Sequence, residues 1–207
     1  MTKLSTAVRG ALAGVVVAAS MAKAQGADAG RTFTRADTSA LRKQLDAIAN
    51  AHQGVLGYSI INPDTGERLS LRGDETFSTA SLIKVPILVT LFDLAVQNRL
   101  SLDDPLTVLK IDQVPGSGVL QFMHPGMTLS VKDAASLMIV LSDNTATNLL
   151  LDRIVIRRVW EKMEKLGLPH TKVHSKTFLR ISSVAMDSSV KYGLGVSTRT
   201  RWRGCSS

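Results

Sequence analysis

The sequence predicts a mixed fold, α/β at its start and all-α through most of the remainder. Three observations predict it. The turn-forming cluster "NPDTG" (62–66) separates two short strand-like runs, "VLGYSII" and "ERLSL". The run "VPILVTLFDLAV" (85–96) is apolar nearly all round, as in a buried helix. The segments "SVKDAASLMIVL" and "VIRRVWEKMEKLGLPH" repeat apolar residues at helical spacing.

The elements follow in chain order. Residues 1–24 read as a secretory signal: Lys3 and Arg9 give a basic start, "ALAGVVVAAS" (11–20) an apolar core, and Ala22-Lys23-Ala24 the small residues a signal peptidase needs. About ten apolar residues are too few for a bilayer that needs ~20, so no stable membrane anchor is expected. Cleavage after Ala24 and export, periplasmic or secreted, are expected. Residues 25–37 are a polar lead-in. Leu41, Leu45 and Ile48 fall at helical spacing. A β-hairpin is expected over 55–61 and 67–71. Ser78 or Thr79 is expected to cap a helix over 80–97, with a kink at Pro86. Ser130 is the expected cap of the next helix. "SDNTATNLLLDRI" then interrupts and restarts the helical pattern, and the last amphipathic helix stops at Gly167 and Pro169. Residues 172–196 read as extended loop. One partial domain is thus expected over 38–196, followed by an aberrant tail, 197–207.

The formal charge of +8 suggests a nucleic-acid binder, but its distribution argues otherwise. The first 24 and last 11 residues each hold three basic residues and no acid, leaving +2 between them. No basic stripe carries interleaved aromatics, so nucleic acid is not an expected partner. The single cysteine, Cys205, rules out an internal disulfide in a monomer.

The chemistry rests on spacing. A nucleophilic serine needs a base within reach, and residues i and i+3 share one helix face. Ser81 and Lys84 satisfy both at the start of the buried run. A desolvated lysine loses its proton more readily. Ser-x-x-Lys also occurs at Ser20/Lys23 and Ser188/Lys191, and a capping serine with a snorkelling lysine gives the same pattern. A second polar triplet, Ser142-Asp143-Asn144, lies at the break between two apolar helical segments. It also reads as a helix cap. His170 and His174 have a zinc-compatible spacing but no nearby third ligand, so no metal is expected. His52 and His124 lie in surface segments and no Gly-x-Ser-x-Gly elbow is present, which argues against a Ser-His-Asp hydrolase.

Taken together, "FSTASLIKVPIL", "GSGVLQ", "LMIVLSDNTATNLLLDR" and the hairpin "GYSIINPDTGERLSL" resemble the serine β-lactamase and penicillin-binding-protein superfamily, nearest to the class A β-lactamases. The resemblance implies a class A β-lactamase-like fold and a hydrolase that opens the β-lactam amide through an acyl-enzyme on Ser81. Lys84 would help take the serine proton, and Ser142 would relay a proton toward the leaving nitrogen. Asn144 would hold the substrate's side-chain amide, Asp143 would be structural, and the Ser81 N–H would supply half of an oxyanion hole. The implied partner is a small β-lactam or peptidoglycan-like molecule, bound by a monomer without cofactor.

Two parts of the family pattern are missing. Class A enzymes carry a glutamate downstream of the Ser-Asp-Asn triplet for deacylation. Here no Asp or Glu occurs between Glu164 and Asp187, and Asp187 is a weak substitute. The family also carries Lys-Thr-Gly or Lys-Ser-Gly on a strand beside the serine, whereas Lys176-Thr177 is followed by Phe178. The last three strands and final helix are therefore expected to be absent. The tail "TRTRWRGCSS" reads as out-of-frame coding: one set of codons, shifted by one base, restores a helix start. Two other readings stand beside the hydrolase: a D,D-peptidase relative that shares the acylation step, and a truncated, non-catalytic remnant.

Overall fold

A computed structural model describes residues 35–198. Helix α1 (Arg35–Ala51) leads into the hairpin of strands β1 (Tyr58–Ile61) and β2 (Arg68–Leu71). The pairing is antiparallel, from Tyr58↔Leu71 to Ile61↔Arg68. The turn closes as its residue types require. Asn62 Oδ1 accepts from the N–H of Asp64, and Gly66 reverses the chain at φ +69°. The hairpin pairs with no other described strand. The hydroxyl of Tyr58 donates to Asp46 Oδ1 of α1 at 3.2 Å.

Strand β3 (Phe77–Ser78) then enters a 3-10 turn, Ala80–Ile83, and helix α2 (Lys84–Val96). Neither expected cap forms. Thr79 has an αR backbone and makes no side-chain capping bond, and the Ser78 hydroxyl donates instead to Tyr192 O. A helix that begins as a 3-10 turn does not offer the extended N-cap backbone that a capping serine uses. Pro86 falls in the first turn of α2, where the N–H it lacks has no helical acceptor to lose.

The expected all-round burial of α2 is also corrected. Ile83, Ile87, Leu91 and Leu94 face the core, while Leu82, Val85, Val89, Phe92 and Val96 form an exposed stripe on the other side, 37–82% accessible. Both faces are apolar, so periodicity alone does not tell the covered side from the open one.

Strand β4 (Pro105–Thr107) pairs with β5 (Thr128–Ser130), and helices α3 (Val131–Val140), α4 (Asn144–Ile154) and α5 (Ile156–Lys165) follow. Ser130 caps α3 as expected: its oxygen accepts from the Asp133 N–H, and Asp133 reaches back to the Ser130 N–H. One core joins α2 to α5 through Ile87, Leu91, Met138, Leu150, Ile154 and Val159.

Residues 172–196 hold more structure than expected: strand β6 (Lys172–Val173), helix α6 (Met186–Tyr192) and strand β7 (Gly195–Ser197). These pieces are too short to show a period in sequence. The sheet order is β3–β7–β6, all antiparallel. A Cβ on Gly195 would stand 2.7 Å from Ile83 Cγ1 and 2.8 Å from Lys172 O. The small residue lets β7 press against the turn that carries Ser81. No described helix is long and apolar enough to cross a membrane.

The two faces of α2 make a direct test. Leu91→Ala, fully buried, is expected to cost about 2–5 kcal/mol in urea unfolding. Val96→Ala, on the open face, is expected to stay within about 0.5 kcal/mol of the parent.

Candidate active site

Ser81 lies in the 3-10 turn and Lys84 is the first residue of α2. Ser142-Asp143-Asn144 spans the break between α3 and α4. The backbone is left-handed on both sides of the meeting point, with φ +44° at Ala80 and +54° at Ser142. For residues with a Cβ this conformation costs about 1–3 kcal/mol, so the surroundings must hold it.

Lys84 is 2% exposed. Its ammonium has three protons and finds three acceptors: Ser142 O at 2.6 Å, Ser142 Oγ at 2.9 Å and Asn144 Oδ1 at 2.9 Å. The Ser142 hydroxyl donates in turn to Ser81 Oγ at 3.0 Å. Ser81 and Lys84 are thus joined through Ser142, not by the direct contact that their spacing suggests, because all three lysine donors are already taken. Burial pushes the lysine pKa below its ordinary value, and the Asp143 carboxylate opposes that shift.

Asp143 is fully buried and holds the triplet in place. One oxygen accepts from the N–H groups of Val119 and Leu120 at 2.7 and 2.9 Å, and the other caps α4 at the Ala146 N–H, 2.9 Å. The loop 115–119 lies directly against it. A Cβ on Gly118 (φ +103°) would stand 2.2–2.4 Å from Asp143 atoms. Asn144 is fixed by its N–H to Ser117 O and by Nδ2 to Pro115 O, both at 3.0 Å.

Sequence reasoning missed Asn148. This buried side chain of α4 accepts from the Thr177 N–H at 2.7 Å and donates to Thr177 O at 3.0 Å. Its trace in the sequence is an amide beside the apolar run "LLL". Lys176-Thr177 therefore belongs to a turn clamped to α4, with Lys176 paired to Asp152. Asp187 is exposed on α6 and makes none of the contacts that join Ser81, Lys84, Ser142 and Asn144. His174 is buried with Nδ1 3.3 Å from Gly193 O, and burial lowers its pKa, whereas His170, His52 and His124 are exposed. Among the described residues, no group of three or more His, Cys, Asp or Glu side chains is placed to hold a metal.

The fold and site define a class: a serine hydroxyl at a helix start, a buried lysine one turn on, and a second serine between them. A profile of the beta-lactamase enzyme family matches residues 40–198, and the chain belongs to that family. A beta-lactamase of Proteus vulgaris is 33% identical over 113 residues, covering 54% of this chain and 37% of the relative. The crystal structure of a beta-lactamase from Sphaerobacter thermophilus is 30% identical, with TM-score 0.67 over 76% of this chain and 57% of that one. A mutant of PBP-A, solved as an acyl-enzyme complex with penicillin-G, is 26% identical with TM-score 0.66 over 78% of this chain and 58% of that one. The chain spans about two fifths of the length of the curated relatives it matches first. The likeness to class A beta-lactamase structures bears out the expected fold class.

Two outcomes follow from this geometry. Gly118→Ala is expected to destabilise the protein by about 2 kcal/mol or more in urea unfolding, because Asp143 has no room to retreat. Lys84 has a lower pKa folded than unfolded, so between the two values the unfolded chain binds more protons and stability rises with pH. The stability of wild type relative to Lys84→Met, measured by urea unfolding, is expected to rise with pH through that window and to level off at its lowest value below it.

Proposed function

We propose that this protein is a serine hydrolase of β-lactams, acylated on Ser81. The observation that carries the reading is the hydrogen-bond chain from Lys84 Nζ through Ser142 Oγ to Ser81 Oγ. Once Lys84 is neutral, the chain runs in reverse: Ser81 donates to Ser142, and Ser142 to the amine. Ser81 Oγ then attacks the β-lactam carbonyl carbon, a C–O bond forms and the ring C–N bond breaks. The proton from Ser81 passes through Lys84 and Ser142 to the departing nitrogen. Asn144 presents its amide to the substrate's acyl side chain, and the Ser81 N–H supports the oxyanion. No cofactor or metal enters this scheme. The chain acts as a monomer, exported by its first 24 residues.

A second reading, acylation without efficient release as in a penicillin-binding relative, is favoured by one observation. The stretch between Glu164 and Asp187 holds no acid, and both oxygens of the buried Asp143 already accept backbone N–H groups. Among the described residues, no carboxylate is free at the site to activate a deacylating water.

A chromogenic cephalosporin with intact-mass detection separates these readings. Turnover supports the hydrolase, and a persistent adduct on Ser81 supports slow release. With neither, the non-catalytic remnant stands. The Ser81→Ala variant is expected to lose adduct and turnover together. The acylation rate is expected to rise with pH to an inflection below the ordinary lysine pKa of about 10.4, because burial lowers that of Lys84.

A further inference from the structure

The turn at 176–179 carries an aromatic ring in an unusual place. Lys176 and Leu179 face each other in an isolated antiparallel bridge, which leaves Thr177 and Phe178 at the tip. Phe178 has φ +57°, a conformation that glycine adopts freely and an aromatic residue rarely. The buried side of the turn is what enforces it. Asn148 holds both backbone groups of Thr177, the Lys176 N–H donates to Ser182 Oγ at 2.8 Å, and the Lys176 ammonium pairs with Asp152 of α4. The backbone is fixed on its inner side while the Phe178 side chain remains 65% exposed.

That ring stands against the site. A Cβ on Gly116 would lie 3.2 and 3.5 Å from Phe178 Cε2 and Cζ, and 2.8 Å from Asn144 Nδ2. The ring, the Gly116 backbone and the Asn144 amide therefore share one contact shell. Gly116 itself is at φ +93°, which glycine takes without strain, so the Phe178 turn meets this loop with no side chain between them. Backbone strain gathers where a protein must present a group in a set position. A large exposed aromatic has apolar area to bury only when something lands on it.

We propose that Phe178 is a specificity-determining residue, the apolar wall against which the acyl side chain of a β-lactam packs beside Asn144. The inference rests on the acylation of Ser81 proposed above. It makes the aromatic or apolar character of that side chain a selection criterion. Contact with a part of the substrate remote from the reacting carbonyl raises the efficiency of acylation only for substrates that carry that part.

The test compares benzylpenicillin, which carries a phenylacetyl group, with 6-aminopenicillanic acid, which carries none. Adduct formation on the full chain is followed by quenched intact mass. Phe178→Gly suits the positive φ and keeps the turn while removing the ring, and Phe178→Tyr keeps the ring. Phe178→Gly is expected to lower acylation efficiency toward benzylpenicillin by about tenfold, from the loss of one aromatic contact. It is expected to leave 6-aminopenicillanic acid within about twofold, and Phe178→Tyr should restore the difference. An equal loss on both compounds, or no loss on either, overturns the role of Phe178 while acylation stands. Absence of any adduct on the wild-type chain overturns the acylation reading, and this inference with it.

Discussion

The site depends on one buried carboxylate. Asp143 ends three backbone N–H groups that would otherwise be orphaned, two from the loop at 119–120 and one from the first turn of α4. An unpaired buried donor costs about 1–3 kcal/mol, so this side chain holds loop and helix in one arrangement. Its neighbours in sequence point to either side. Ser142 reaches toward Ser81, and Asn144 turns toward Lys84 and Pro115. The absence of a side chain at Gly118 is what lets the loop approach this closely.

Lys84 answers the same constraint from the other direction. Its three protons are matched by three oxygens, which lets an ammonium sit 2% exposed without an adjacent salt bridge. The carboxylate of Asp143 lends it charge stabilisation, and burial works against that. A lysine balanced between these effects moves between charged and neutral more easily than one in water. The left-handed backbone at Ala80 and Ser142 sets both hydroxyls at the meeting point. Strain there is sustained by the packed helices behind it, α2 through Ile87 and Leu91 and α4 through Leu150 and Ile154.

Much of this was legible in the sequence where a residue type has one physical use. Asn62 to Gly66 announced the hairpin, and Ser130 announced the start of α3. The spacing of Ser81 and Lys84, together with the polar triplet at 142–144, marked the residues that the fold brings together. Other features had no such mark. An apolar face looks the same in sequence whether covered or open, so nothing in the residue types sets the exposed Leu82–Val96 stripe apart from the buried face. Strands of two and three residues carry no alternation, which hid β6 and β7. The link through Ser142 and the grip of Asn148 on Thr177 are long-range bonds, spanning 61 and 29 residues, and local spacing says nothing about them.

The hairpin of β1 and β2 hydrogen-bonds as strands only to itself among the described residues. A two-stranded ribbon gains little from its own ladder in water. Its peptide hydrogens are thus guarded by a small local opening energy, while those of α2 and α4, locked behind the common core, are released only when the whole body comes apart. Deuterium entering this molecule would trace a boundary that the chain's continuous backbone does not reveal, between a part that breathes alone and a part that melts as one.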